Sequence, residues 1–139
     1  MSSSYLTDLF SVRDKVAIVT GATGGLGFAM AVGLAKAGAR IVSIEIPNDP
    51  NSERLLNAIR DVGGESTIFT CDVLNSTSLR LCYSSIWAKG FTPDILVNCA
   101  GVMRRNSCEN ATDEDIDLVS KTSAYINGLL LTPLKAVRY

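Results

Sequence analysis

Histidine is missing from all 139 residues, and the cysteines are only Cys71, Cys82, Cys99 and Cys108, none of which forms a C-x-x-C pair. A zinc site built from paired thiolates and imidazoles is therefore excluded, and no metal site is expected. The cysteines read instead as small buried hydrophobes in a reducing compartment. Charge is also scarce: 19% of residues are charged and the formal net charge is −1. Acidic and basic residues are interspersed, so neither a nucleic-acid footprint nor a polybasic membrane surface is present. No apolar run approaches the length needed to cross a bilayer. The opening MSSSYLTDLF lacks both the basic flank and the apolar core of a secretory signal, and a cytoplasmic location is expected. There is no internal repeat and no low-complexity segment.

What remains is a chain that is 47% hydrophobic, with room for one domain with a real core. Its apolar segments alternate between two kinds. Short runs (Val16 to Val19, Arg40 to Ile46, Ser66 to Cys71, Asp94 to Val97) read as buried strands. Between them lie stretches of helical spacing. Gly25 to Ala37 places Leu26, Met30, Leu34 and Ala37 on one face and stops at Gly38. Glu53 to Val62 places Leu55, Leu56, Ile59 and Val62 inward and ends at Gly63-Gly64. Ser76 to Ala88 carries Leu79, Cys82, Tyr83 and Ile86 inward. Thr112 to Asp115 reads as a capping box opening a further helix. Strands alternating with helices predict an α/β fold, a Rossmann-like doubly wound parallel sheet.

The most informative junction is Lys15 to Gly27, KVAIVTGATGGLG. A central strand runs into Thr20-Gly21, and Gly25 and Gly27 open the next helix. Glycine lets the backbone turn sharply and approach a ligand without a Cβ in the way. The helix then directs its N–H groups and positive dipole end at that ligand, which suits a pyrophosphate. The alternative is a tight turn holding nothing. Three further features follow in order: Glu45 closing the second strand, Asp72-Val73 after the third, and Asn98-Cys99-Ala100-Gly101 after the fourth.

Those four motifs, spread over Phe10 to Val119, together resemble the short-chain dehydrogenases/reductases. The spacing Thr-Gly-x-x-x-Gly-x-Gly and the Asn-Cys-Ala-Gly run, one substitution from Asn-Asn-Ala-Gly, carry the likeness. The stretch Ala100 to Val119, with FSVRDKVAIVTG, looks most like the gluconate and deoxygluconate type of sugar-acid dehydrogenase. The resemblance implies strand order 3-2-1-4 and a dinucleotide cofactor. It assigns Thr20, Gly21, Gly25, Leu26 and Gly27 to the pyrophosphate and Glu45 to the adenosine ribose. Asp72 and Val73 fall to the adenine, and Asn98, Ala100 and Gly101 to the nicotinamide side. A carboxylate at Glu45 accepts ribose hydroxyls and repels a 2′-phosphate, which argues for NAD, with NADP disfavoured; the alternative is a solvated strand-end carboxylate. Asp72 is equally suited to capping its turn. Arg104 and Arg105 are suited to a sugar-acid carboxylate or to plain solvation.

The resemblance also implies a catalytic tyrosine followed four residues later by lysine, because a phenol is a poor acid/base at neutral pH without a nearby cation. The tyrosines are Tyr5, Tyr83, Tyr125 and Tyr139; the residues four beyond the first three are Leu9, Trp87 and Leu129. No catalytic residue is therefore assigned. Residues 1–119 read as the cofactor-binding half and 120–139 as a divergent tail, where Ser123 stands at the expected asparagine and Asn127 fits only with an insertion. The expectation is a truncated oxidoreductase acting on a secondary alcohol or ketone once completed, without strands 5 to 7. The alternative is a non-catalytic nucleotide-binding module. Strand 4 would be left as an open edge, predicting poor solubility, self-association or pairing with a full-length relative.

Overall fold

Along the strand Val16–Thr20 (β1), side chains alternate between two sides. Val16 and Ile18 point one way and Ala17 and Val19 the other, and all four are buried, at 7, 1, 0 and 0% exposure. A strand apolar on both sides is stable only with both sheet faces covered, and the computed structural model, which describes residues 3–102 and 108–122, has that arrangement. After a helix α1 (Ser3–Phe10) come β1, α2 (Gly25–Lys36), β2 (Arg40–Glu45), α3 (Ser52–Asp61), β3 (Ser66–Thr70), α4 (Ser76–Ala88) and β4 (Ile95–Asn98). A short 3-10 turn (Cys108–Asn110) and a helix over 113–122, α5, follow. The sheet is wholly parallel in the order β3-β2-β1-β4, as the resemblance implies. These are the strands present among the described residues.

One core lies between the sheet and α4. It joins Val16, Ile18, Val42, Ile44, Phe69 and Cys71 to Leu79, Cys82, Tyr83 and Ile86, so the predicted inward face of α4 is the observed one. Asn75 starts that helix, its side-chain oxygen accepting from the N–H groups of Thr77 and Ser78, both at 3.0 Å. Cys71 and Cys82 meet in this core, the Cys82 thiol donating to Cys71, and that bond, reinforced by burial, holds the Cys82 pKa up. The other core packs α2 and α3 on Ala17, Val19 and Ile41, with Leu55 and Ile59 fully buried as expected. Leu56 and Val62 are half-buried at its margin. Thr112 caps the start of α5 through its side chain. The Thr112 hydroxyl accepts from the Asp115 N–H at 3.2 Å and donates to its carboxylate at 2.9 Å.

The face of α2 differs from expectation. Leu26 and Met30 are 76% and 44% exposed, Ala37 is exposed, and the residues that face the sheet are Gly27, Ala31 and Ala35. This helix is apolar nearly all round, so spacing alone cannot choose its buried side. Close approach decides it: a Cβ on Gly27 would overlap the Gly21 carbonyl, and only the line of small residues lets the helix come that near. Strand ends shift by one residue. β2 stops at Glu45, leaving Ile46 59% exposed, and β3 stops at Thr70.

The tightness of this packing is testable on two glycines of the same helix. A Cβ at Gly33 meets nothing within 4 Å, so Gly33→Ala is expected to stabilise by about 0.5–1 kcal/mol through helix propensity. Gly27→Ala is expected to cost about 1–3 kcal/mol through overpacking. Urea unfolding of the two variants measures both; equal effects would contradict the close approach of α2.

Candidate cofactor-binding site

The carboxyl ends of β1, β2 and β4 open onto a cavity of about 730 Å³, where open α/β sheets hold their ligands. The glycine turn Gly21 to Gly27 forms one wall. Glu45, Ile46 and Asp49 form a second, and Asp72 to Leu74 with Asn98 to Val102 and Thr122 complete it. The residues assigned to a cofactor from sequence therefore converge on one space, Thr20 and Val73 included: Val73 lines it directly, and Thr20 is buried immediately behind it.

Each glycine of the turn has its own reason. Gly21 has φ +66°, and a Cβ there would stand 2.8 Å from the Ala100 Cα and 2.9 Å from its nitrogen. Gly27 allows α2 to sit on the turn. Gly25 is different, because a Cβ there meets nothing within 4 Å. Its bareness serves no internal contact and leaves room on the cavity side. No side chain caps α2, whose N-cap is Gly24, so the first N–H groups of the helix lack a side-chain acceptor. This uncapped start and the cleared space fit a phosphate group. Thr20 binds the two halves of the cradle together. Its hydroxyl oxygen accepts from the backbone N–H of Cys99 and of Ala100, both at 3.1 Å.

Glu45 is 3% exposed, and both of its oxygens are engaged by the protein. Oε1 accepts from the Ala22 N–H at 2.7 Å and from the Ser43 hydroxyl, and Oε2 accepts from the Thr23 hydroxyl at 3.0 Å. It is not a solvated strand-end carboxylate. Burial raises its pKa above the usual carboxylate range, opposed by the hydrogen bonds from Ser43, Thr23 and Ala22. The Thr23 hydroxyl also lies 2.8 Å from Asp49 Oδ2. A single hydroxyl proton cannot serve two carboxylates at once. Sequence reading missed Asp49 and Thr23 because Pro47-Asn48-Asp49-Pro50 carries an ordinary loop signature; the acidic residue four past Glu45 was the available signal.

Asp72 combines its two predicted roles. Its Oδ1 accepts from the Leu74 N–H at 2.9 Å, closing the turn, and the residue lines the cavity. Asn98 ends β4 opposite Thr20. Cys99, in the place of the second asparagine, sets its sulfur 3.6 Å from that of Met30. Thr122 on α5, also missed from sequence, is 3% exposed and lines the cavity. Arg104, Arg105, Ser123 and Asn127 lie outside the described residues. Tyr83 packs in the α4 core, away from the cavity lining, with its hydroxyl unpartnered and its pKa driven upward by burial. It is not placed to act as an acid or base. Among the described residues no cluster of His, Cys, Asp and Glu is arranged to hold a metal ion.

The buried carboxyl yields a pH dependence of known sign. A folded-state pKa above the unfolded one means the protonated form favours the native state. That contribution is complete below the unfolded pKa and is lost as pH rises through the folded one. Relative to Glu45→Gln, which does not titrate, the wild-type chain is expected to gain melting temperature as pH falls from neutrality into the carboxylate range. A difference that stays flat with pH, in parallel thermal melts, would refute this.

Comparison with known proteins agrees with the geometry. The short chain dehydrogenase model matches residues 15–132. A D-threitol dehydrogenase of Mycolicibacterium smegmatis is 36% identical over 108 residues, covering 78% of this chain and 41% of that enzyme. A 2-dehydro-3-deoxy-D-gluconate 5-dehydrogenase of Formosa agariphila is 37% identical over 122 residues, covering 81% and 45%. The crystal structure of a short-chain type dehydrogenase/reductase from Mycobacterium marinum superposes with a TM-score of 0.81 at 26% identity, covering 99% of this chain and 53% of that one. The chain spans less than half the length of the two enzymes. With its four-stranded 3-2-1-4 sheet, its glycine turn and this match, the chain belongs to the short-chain dehydrogenase family.

Proposed function

We propose that this chain is the NAD-binding half of an oxidoreductase acting on a secondary alcohol or ketone, with polyols and sugar acids as the substrate class. The observation that carries the reading is the convergence of the glycine turn, two carboxylates and the Asn98 to Gly101 loop on one cavity at the sheet's carboxyl edge. The start of α2 would hold the pyrophosphate, and Asp72 and Val73 would flank the adenine. Asn98, Ala100 and Gly101 would line the nicotinamide. An acidic ribose end supports NAD over NADP, because a 2′-phosphate would meet like charge. The bound cofactor would supply or accept the hydride. Proton transfer needs a group that the 139 residues do not offer, since none of their tyrosines precedes a lysine by four. That group would come from sequence outside this chain or from a partner. The two relatives named above, one named for a polyol and one for a sugar acid, support the substrate class.

A second reading, a non-catalytic nucleotide-binding module that pairs with another copy or a longer relative, draws support from β4. Its Ile95, Leu96 and Val97 are half-buried, and among the described residues it pairs on one side only, with β1. Sedimentation of the chain is expected to show concentration-dependent self-association; a monomer at all concentrations would remove this reading.

Titration with NADH, followed by its fluorescence, tests the primary one. Saturable binding is expected, with NADPH at least about tenfold weaker, a difference of about 1.4 kcal/mol. D-threitol and 2-dehydro-3-deoxygluconate are expected to show no turnover with the chain alone. Gly25→Val should abolish binding without lowering the melting temperature by more than a few degrees, because its side chain enters the cavity and not the core. Tight NADH binding by Gly25→Val, or turnover by the isolated chain, would contradict the assignment.

A further inference from the structure

We propose that Cys71 and Cys82 form a dithiol that a peroxide oxidises to an intramolecular disulfide, joining the end of β3 to α4, and that the Tyr83 hydroxyl assists the oxidation. The site lies in the core between the sheet and α4, outside the cofactor cavity, and stands whether or not a nucleotide binds.

Three protic groups meet in a core whose packing requires none of them. Cys71, Cys82 and Tyr83 are 2, 6 and 6% exposed and belong to one cluster with Phe69, Leu79 and Ile86. The two thiols touch, the Cys82 S–H donating to the Cys71 sulfur. The Tyr83 hydroxyl lies within electrostatic reach of both sulfurs and has no partner among the described residues. A buried donor without an acceptor is costly, and phenylalanine would fill the same volume without it. The hydroxyl is a donor with an open place beside two sulfurs.

The pair is asymmetric. Donation from Cys82 favours the thiolate of Cys71 and outweighs burial and the Asp72 carboxylate, which both oppose it. The thiolate is the reacting form, so Cys71 is the attacking sulfur and Cys82 the resolving one. Cys71 is also the last buried residue before the turn Asp72 to Asn75, where Asp72, Leu74 and Asn75 are exposed. That turn is closed by few bonds. Asp72 accepts from the Leu74 N–H at 2.9 Å and the Asn75 N–H at 3.0 Å, and its own N–H donates to Ser78 Oγ at 3.2 Å. A local opening there admits hydrogen peroxide and excludes a bulky disulfide such as oxidised glutathione.

In the first step the Cys71 thiolate attacks one peroxide oxygen and the O–O bond breaks. Cys71 becomes a sulfenic acid, and the departing hydroxide takes the Cys82 proton and leaves as water. The Tyr83 hydroxyl donates a hydrogen bond to the sulfenic oxygen and keeps its proton. The Cys82 thiolate then attacks the Cys71 sulfur, the S–O bond breaks, and the second hydroxide takes a proton from solvent. Two electrons pass from the sulfurs to the peroxide. The new bond closes a loop of ten intervening residues, which restricts the unfolded chain and stabilises the native one.

The test is mass spectrometry and thermal melting of the chain carrying Cys99→Ser and Cys108→Ser, before and after hydrogen peroxide. A loss of two hydrogens per chain is expected, with a peptide linking Cys71 to Cys82 at every protein concentration. The melting temperature should rise by at least about 5 °C, and dithiothreitol should reverse both changes. Cys82→Ala in the same background is expected to stop at a Cys71 sulfenic acid that dimedone traps. Tyr83→Phe is expected to slow the oxidation at least about fivefold without lowering the melting temperature of the reduced protein. The proposal is overturned if Cys71 and Cys82 both stay alkylatable after a peroxide dose that oxidises Cys99 in the wild-type chain. Links between chains only, an oxidised form that melts below the reduced one, or an unchanged rate in Tyr83→Phe also overturn it. Should the serine variant fail to melt cooperatively, the same peptide map on the wild-type chain decides.

Discussion

The backbone contact between the glycine turn and its two neighbours governs the rest of the structure. Gly21 touches the Ala100 backbone on one side, and its carbonyl lies against Gly27 on the other. No residue with a side chain fits at either place. Because the turn is pinned there, α2 must present its smallest residues to the sheet, and the loop after β4 must come alongside the loop after β1. The Thr20 hydroxyl, accepting from Cys99 and Ala100, fixes that second closeness from inside. A cavity open at the sheet's carboxyl edge is the geometric consequence. The same backbone proximity that shapes it leaves the N–H groups at the start of α2 directed into it.

The two cores support this edge unequally. On the α4 side, large side chains interlock: Phe69 meets Phe91 edge to face at 6.2 Å, and Tyr83 stacks obliquely on Trp87 at 5.6 Å. On the α2 and α3 side, alanines and glycines bring helix and sheet close while Leu55 and Ile59 fill the remaining volume. Burial of large side chains contributes most of the stabilisation per residue, so the α4 core anchors the sheet. The α2 core sets distances, and binding geometry depends on distance.

Much of the fold could be read from the sequence, because its signals were of one kind wherever they were clear. A strand such as Val16 to Val19 is apolar on every residue, and Leu79, Cys82, Tyr83 and Ile86 recur on α4 at helical spacing. Period and burial then say the same thing. The failures have a shared physical cause. For α2, Leu26 and Met30 offered the larger hydrophobic surface, but a steric limit at Gly27 overruled burial area. For Asp49, Thr23 and Thr122, the relevant fact is proximity between residues far apart in sequence, such as Thr23 and Asp49 at 26 residues' separation. Local patterns carry no information about such pairs. The glycine turn was legible because its function is written into consecutive residues. The ribose end was legible only as far as Glu45, the one acidic residue that closes a strand.

Binding and proton transfer make opposite demands on a side chain. Holding a phosphate calls for backbone N–H groups and bare glycines, which the glycine turn and the uncapped start of α2 provide. Moving a proton at neutral pH calls for a phenol whose pKa is drawn down by a cation. Tyr83 shows the reverse treatment. It is enclosed among Cys71, Cys82 and Trp87 with no partner for its hydroxyl among the described residues, and desolvation moves its pKa away from neutrality. Thr122, the side chain from α5 that reaches the cavity, already donates its hydroxyl proton to the Leu118 carbonyl at 2.7 Å, and an aliphatic hydroxyl has no useful acidity in any case. Among the described residues the cavity is lined by the glycine turn and acidic side chains on one part of its wall and by Asn98, Cys99 and Thr122 on another.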